Sequence, residues 1–280
     1  IVPSKIVRNI FSLLYLRGDM TVKNILVVVK GSVGVLTIDR PKALNALDIP
    51  TLEEFSEEFE NLEKNDAIHV IVITGAGDRA FVAGGDIADL NSRRGLAHYL
   101  EFAEIIHRVF RQVEVCDKPT ICAVNGWALG GGVELLLATD IRVAAENAVL
   151  GLPEITLGLI PGAGGTQRLM RQIAPCRARE IMFTGERMSA VQAEKIGLIN
   201  RVVKSEELMA DVMTTADRIA SHSPLVLKLM KRNLAHGQDM SLPAALAHEQ
   251  TMTGIVLATD DAHEGCSAFL EKRKPKFQGK

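Results

Sequence analysis

The chain has 280 residues, of which 47% are hydrophobic and 24% charged, and its formal net charge is −2. This composition excludes an intrinsically disordered chain, and the near-zero charge provides no general attraction to nucleic acid or anionic membranes. No apolar run in the sequence reaches the roughly 20 residues that a membrane-spanning helix needs. Four scattered cysteines without a CxxC pair argue against a disulfide framework or a structural zinc site, and they favour a reducing compartment.

The first 19 residues differ from the rest of the chain. They are basic and apolar, no acid precedes Asp19, and Met20 then resembles an ordinary start. We interpret residues 1–19 as an artificial or upstream extension; the alternative is the remnant of a mitochondrial presequence, which is typically amphipathic and poor in acids. The expected localisation is the bacterial cytoplasm, with the mitochondrial matrix as the alternative.

From residue 25 onwards the pattern predicts alternating strands and helices. Two β-branched runs, residues 25–29 and 33–39, predict a hairpin. Asp48 is a typical N-cap, and the apolar spacing after it predicts a helix through Lys64. Further strands are predicted over residues 69–74, 120–124, 140–144 and 197–203, and further helices over 96–113 and 166–173.

After about residue 205 the sequence predicts helices only, with breaks near Pro224, His236–Gly237 and Pro243. The chain therefore divides into an α/β core over residues 20–204 and a helical segment over residues 205–280. Apolar stretches in the helical segment must be covered either by the core or by a neighbouring subunit.

The densest of the glycine clusters contains Gly130, Gly131 and Gly132 and leads into a predicted helix. The first amides of a helix have no internal partner, so they can bind an anion. Glu134 lies in the first turn of this helix, whose remaining residues are mostly apolar. A buried unpaired carboxylate is costly, which favours a functional role; the alternative is a structural acid in the first helical turn.

A second acid, Glu154, lies between apolar neighbours on a predicted loop. By itself it is better explained as a solvated loop acid. If Glu134 and Glu154 were held close together, however, at least one pKa would rise, and the pair could act as acid and base near neutral pH.

Three other glycine-rich turns could also carry chemistry. The turn at Gly84-Gly85-Asp86 could supply a second exposed N–H group. The segment 162–166 could cradle phosphate, but it lacks the Lys-Ser/Thr of a P-loop. The segment 75–80 matches the dinucleotide fingerprint, but no helix follows it, so nicotinamide binding is disfavoured. The histidines show no paired spacing, and no metal site is predicted.

Several segments together resemble one family, the enoyl-CoA hydratase/isomerase (crotonase) superfamily. Their order and spacing agree over roughly residues 22–278. The segments that carry the resemblance are DRPKALNAL (39–47), FVAGGDI (81–87), AVNGWALGGGVEL (123–135), PE (153–154) and LIPGAGGTQRL (159–169).

The resemblance implies a spiral of repeated ββα units and a C-terminal helical segment that forms trimers, often paired into hexamers. It also implies that the main-chain N–H groups of Gly85 and Gly131 form an oxyanion hole for the thioester oxygen. The family often has alanine where this chain has Gly85. Because the donor is a main-chain group, this difference leaves the chemistry available.

Both acids of the hydratase subset are present, at Glu134 and Glu154. The resemblance therefore implies that water adds across the double bond of a trans-2-enoyl-CoA to give a (3S)-3-hydroxyacyl-CoA in fatty-acid or related acyl-CoA metabolism. Glu134 would help to activate the water and Glu154 would deliver a proton to Cα. The alternatives are a Δ3-Δ2-enoyl-CoA isomerase and a branched-chain, methylglutaconyl-type hydratase. RNA binding, known for one relative, is disfavoured because the matching helix, about residues 97–113, contains no lysine.

The resemblance further implies that no metal or redox cofactor is required, because coenzyme A is part of the substrate. Two residues of the helical segment, Phe269 and Lys272, are expected to reach the ligand of a neighbouring subunit. The other residues expected to border the substrate are Lys42, Ala43, Leu44, Ala83, Asp86, Ile87, Pro153 and Gly162.

Overall fold

A six-stranded sheet forms the framework of residues 23–280, the part of the chain that the computed structural model describes. The predicted extension over residues 1–19 lies outside this part. The sheet begins with the antiparallel strands β1 (Ile25–Lys30) and β2 (Val33–Ile38), which confirm the predicted hairpin. The other strands follow in parallel: β3 (Val70–Gly75), β5 (Thr120–Val124), β7 (Ile141–Ala145) and β10 (Arg201–Val203).

A smaller four-stranded sheet is built from the strands between them. Its members are the parallel strands β4 (Ala80–Val82), β6 (Trp127–Leu129) and β8 (Val149–Gly151), followed by the antiparallel strand β9 (Arg187–Ser189). The pairs β3/β4, β5/β6 and β7/β8 each place one strand in each sheet, and helical structure follows each pair. This repetition confirms the predicted α/β spiral of ββα units.

Twelve α-helices connect and cover the described strands, with a π-helical turn at Tyr99–Ala103 and 3-10 turns at Pro41–Ala43, Pro153–Leu157 and Ser205–Glu207. None of those in the described part of the chain is both long and apolar enough to cross a membrane. In the core they are α1 (Ile49–Lys64), α2 (Ile87–Asn91), α3 (Leu96–His98), α4 (Glu104–Val115), α5 (Gly131–Leu137), α6 (Gly165–Gln172), α7 (Pro175–Thr184) and α8 (Ala190–Lys195). The C-terminal segment contains α9 (Leu208–Ala220), α10 (Pro224–Gly237), α11 (Leu242–Leu257) and α12 (Asp260–Leu270).

The central strands β3 and β5 of the larger sheet are buried throughout, and their successive side chains point alternately to its two faces. On β3, Ile71 and Ile73 join the main hydrophobic core between the sheet and the core helices. Val70 and Val72 face the other way, into a second cluster that α9 covers with residues such as Leu208 and Val212. Helix α9 thus packs directly on the core sheet; the domain division at residue 204 stays a prediction.

The structure departs from the predicted elements at one strand. The strand predicted over residues 197–203 is present only from Arg201, because Asn200 takes up both main-chain groups of Arg142. The Asn200 amide donates to the Arg142 carbonyl at 2.8 Å, and the Asn200 Oδ1 accepts from the Arg142 amide at 2.8 Å. The short elements β6, β8, β9, α7 and α8 were not predicted, since three-residue strands produce no clear alternation.

Arg142 also holds the end of α5, the helix that contains Glu134. Its guanidinium is buried and donates to carbonyls at the helix end, in the turn that follows and at Leu198, ahead of β10. The acceptors are the carbonyl oxygens of Leu136 (2.7 Å), Thr139 (3.0 Å), Leu198 (3.1 Å) and Leu137 (3.3 Å).

Replacing Arg142 with methionine is expected to lower the free energy of unfolding by about 2–4 kcal/mol, because among the described residues it leaves the buried carbonyls of Thr139 and Leu198 without a donor. Urea unfolding followed by circular dichroism measures the change. Arg177→Met is the matched control: among residues 23–280 the Arg177 side chain pairs only with the exposed Glu180, so its loss should change stability by less than about 0.5 kcal/mol. Equal urea midpoints for the two variants would contradict this structural role of Arg142.

Candidate active site

Helix α5 is pressed against the smaller sheet at its first residues. A Cβ atom on Gly132 would lie 2.1 Å from the carbonyl oxygen of Val82 on β4, so no larger residue fits there. The chain enters the helix through Gly130, whose φ of 51° favours glycine. This close approach places Glu134, in the first turn of α5, among buried neighbours with only 3% of its surface exposed.

The carboxylate of Glu134 is held by the loop that precedes α6. Its Oε1 accepts hydrogen bonds from the main-chain amides of Ala163 at 2.7 Å and Gly165 at 2.8 Å. Burial raises the pKa of Glu134, while the two amides and the positive charge of Arg168 act in the opposite direction. The glycine-rich segment 162–166, considered above for phosphate, therefore presents its amides to a carboxylate of the same chain.

Glu154 lies beside the same turn. It stands in the 3-10 turn after β8, and a Cβ atom on Gly130 would lie 2.9 Å from its Oε1. Its Oε2 is buried and has no hydrogen-bond partner among residues 23–280. Burial, with a further contribution from the nearby charge of Glu134, raises the pKa of Glu154 to about 7. The fold thus brings together the two acids that are 20 positions apart in the sequence.

The main-chain amides of Gly85 and Gly131 lie at the same place. A Cβ atom on Gly131 would lie 3.5 Å from the amide nitrogen of Gly85. Within the described residues, neither amide donates a hydrogen bond to another group of the chain. Two unpaired N–H groups this close to one another form a donor pair for an oxygen atom that carries negative charge.

The predicted coenzyme A contacts lie partly on the strand end that leads to Gly85. The carbonyl of Leu44 accepts from the amide of Ala83 at 3.1 Å, which joins the 42–44 segment to the turn. Asp86 caps α2 through the amides of Ala88 and Asp89. The remaining predicted residues fall into two groups. Lys42 and Ala43 lie in the first 3-10 turn and Ile87 starts α2, whereas Pro153 is next to Glu154 and Gly162 is next to Ala163.

The structure does not bring the two C-terminal candidates to this site. Phe269 is 83% exposed near the end of α12, and Lys272 follows that helix. No hydrogen bond among residues 23–280 connects the Lys272 ammonium to the loops around Glu134 and Glu154. Their expected contact with a neighbouring subunit's ligand stays a prediction.

Two arginines that support the site were missed. Arg168 donates from Nη1 to the carbonyl of Ala163 at 3.0 Å, within the loop that binds Glu134. Arg40 contacts Asp48 at 2.7 Å and Asp86 at 3.3 Å, next to Gly85. Both occur within the segments that carry the family resemblance, but their spacing does not indicate their partners, which come from distant parts of the chain.

Comparison with known proteins agrees with this geometry. The Enoyl-CoA hydratase/isomerase profile matches residues 29–280. The chain belongs to this family. It is 42% identical to the "Crotonyl-CoA hydratase" of Syntrophomonas wolfei, over 93% of this chain and 100% of that protein. It is 40% identical to the "Short-chain-enoyl-CoA hydratase" of Clostridium acetobutylicum, over 91% of this chain and 97% of that protein. A crystal structure of enoyl-CoA hydratase from Bacillus anthracis superposes with a TM-score of 0.89 at 38% identity, covering 92% of this chain and 100% of that one.

Glu154→Gln is expected to stabilise the fold above neutral pH. The pKa of Glu154 is about 7 in the folded chain against an ordinary value of 4.5, so ionisation in the fold is unfavourable. The resulting loss of stability develops as the pH rises from 4.5 towards 7 and is complete above it. At pH 8 the variant should gain on the order of 1–3 kcal/mol in unfolding free energy, and the gain should shrink at pH 5. Thermal unfolding at both pH values tests this; an equal gain at both would contradict it.

Proposed function

We propose that this chain is a hydro-lyase that adds water to trans-2-enoyl-CoA thioesters and yields (3S)-3-hydroxyacyl-CoA. One observation carries the proposal. Two largely buried carboxylates, those of Glu134 and Glu154, lie beside the two unpaired main-chain amides of Gly85 and Gly131. Isomerase or thioesterase chemistry does not need two acids that share one water. The names of the two curated relatives also support a hydratase.

In the proposed mechanism the thioester oxygen accepts hydrogen bonds from the amides of Gly85 and Gly131. As water attacks Cβ, negative charge moves onto this oxygen, where one such donor is worth roughly 10²–10³ in rate. The Glu134 carboxylate, fixed through Oε1, accepts the proton of the water. Glu154, which is protonated in about half of the molecules near pH 7, delivers its proton to Cα. A proton then passes from Glu134 back to Glu154, and the starting state is restored.

All of these steps are proton transfers and the addition of water, so the proposed chemistry uses no metal or redox cofactor. Coenzyme A enters as part of the substrate. We propose that its adenine and pantetheine lie along Lys42–Leu44, Ala83 and Asp86–Ile87, because the hydrogen bond between Ala83 and Leu44 places these segments at the edge of the donor pair.

We further propose that copies of this chain associate as trimers, alone or paired into hexamers. Exposed apolar side chains on the C-terminal helices support this, among them Leu242 on α11 and Phe269 on α12, which are 71% and 83% exposed. Exposed apolar surface of this kind is typical of an interface. Relatives from bacteria and a mitochondrial relative from Dictyostelium discoideum make the bacterial cytoplasm our proposed compartment and the mitochondrial matrix the alternative.

Glu134→Gln and Glu154→Gln should each lower kcat for crotonyl-CoA hydration by about 10²–10⁴, because each removes one proton-transfer group while it preserves size and polarity. Loss of absorbance of the conjugated thioester measures the rate, and calorimetric binding of butyryl-CoA should be retained. Glu146→Gln, at an exposed position after β7, is the matched control. Near-wild-type turnover in both active-site variants would show that the two-acid mechanism is wrong.

We propose a preference for short acyl chains, in keeping with the names of the two relatives. Leu90 Cδ1 and Phe102 Cζ would lie only 3.0 and 3.7 Å from a Cβ on Gly85, so apolar side chains crowd the donor pair. We expect kcat/KM to fall at least about 10-fold from C4 to C16 enoyl-CoA, since each excluded methylene forfeits roughly 0.8 kcal/mol of burial. Leu90→Ala should narrow this difference, whereas Leu96→Ala, at a 70% exposed position, should not. A C16 rate equal to the C4 rate would contradict the proposal.

A further inference from the structure

The loop that binds Glu134 is itself fixed by one arginine. The Nη1 of Arg168 donates to the carbonyl of Ala163 at 3.0 Å, and this carbonyl lies between the two amides that donate to Glu134. A Cβ atom on Gly164 would lie 2.1 Å from the same Nη1, and Gly164 has a φ of 104°. The guanidinium therefore lies directly against the loop backbone, at a place that only glycine permits.

A second residue holds the other side of the arginine. Glu114, near the end of α4, accepts from Arg168 Nε at 3.0 Å and from Nη2 at 3.2 Å. This paired contact orients the planar guanidinium as a single lysine contact would not. Arg111 also donates to Glu114, at 2.7 Å, so the acid is held from two directions. Only 13% of the Arg168 side chain is exposed, so solvent screens the arrangement weakly.

Arg168 also acts on the charge of Glu134. Two charged groups act on this carboxylate: Arg168 on α6, and Glu154 in the turn after β8. The positive charge of Arg168 lowers the pKa of Glu134 against the effect of burial, and the negative charge of an ionised Glu154 acts the other way. Loss of Arg168 would thus leave a buried carboxylate with only its two amides to keep it ionised.

We propose that Arg168, tethered by Glu114, is a positioning residue that keeps the Glu134 carboxylate ionised and directed at the reacting water. This inference rests on the proposed hydratase function, in which Glu134 accepts a proton from that water. It adds a chain of contacts, from α4 through α6 to α5, that controls the protonation of the proposed base without touching the substrate.

The test compares pH profiles of kcat and kcat/KM for crotonyl-CoA in the 280-residue chain. Arg168→Met should lower kcat about 10- to 100-fold and move the acidic limb of kcat/KM to higher pH, with KM changed less than about threefold. Arg168→Lys keeps the charge but loses the paired contact, so it should restore the position of the acidic limb and only part of the rate. Glu114→Gln should lower kcat by a smaller factor.

Arg171→Met is the matched control, because Arg171 is exposed on the same helix and its side chain, within the described part of the chain, hydrogen-bonds only to Gln167. It should stay within about twofold of the wild-type rate at every pH. An unchanged acidic limb in Arg168→Met would overturn the inference. If that variant does not fold, a wild-type kcat in both Arg168→Lys and Glu114→Gln would overturn it instead. Failure of the proposed function is separately visible, since the wild-type chain would then not hydrate crotonyl-CoA at all.

Discussion

The burial of one carboxylate is the constraint on which the rest of this site depends. Glu134 is 3% exposed, and a charge in that position is tolerated only if the chain itself replaces the lost water. The amides of Ala163 and Gly165 do so from a loop about 30 residues away in the sequence. The loop amides and Arg168, which holds the loop in place, therefore allow Glu134 to stay ionised.

The two-sheet spiral explains how such distant residues meet. Each ββα repeat places a short strand in the smaller sheet, and the chain leaves that sheet through a turn at the same end. The turn after β4 presents Gly85, the turn after β6 presents Gly131 and Glu134, and the turn after β8 presents Glu154. Each of three successive repeats thus contributes to the site, the middle one with two groups, and the parallel order β4-β6-β8 places them side by side.

Local sequence patterns predicted the elements that are long or that have clear capping, turn or proline signals at their ends. The hairpin of β1 and β2, helix α1 with its Asp48 cap, and the break at Pro224 were all predicted, because each depends on neighbouring residues. The three-residue strands were not, since their pairing comes from the stacking of repeats. The strand predicted over residues 197–203 was wrong at its start, because Asn200 is taken up by Arg142 from β7. Likewise, Glu134 and Glu154 could be singled out by residue type, whereas Arg168 and Arg142 required the tertiary contacts to be seen.

The unpartnered Oε2 of Glu154 has a consequence for how this fold can change over evolution. Removal of the Glu134 side chain would leave two buried amides without an acceptor, so the fold itself requires an acceptor at this position. In contrast, the Oε2 of Glu154 has no hydrogen-bond partner among residues 23–280, and the residue lies in a 3-10 turn outside both sheets. A substitution of Glu154 changes the available chemistry but should not lower the stability of the fold. Position 154 is therefore where a descendant of this chain could acquire a different reaction by a single mutation and still fold.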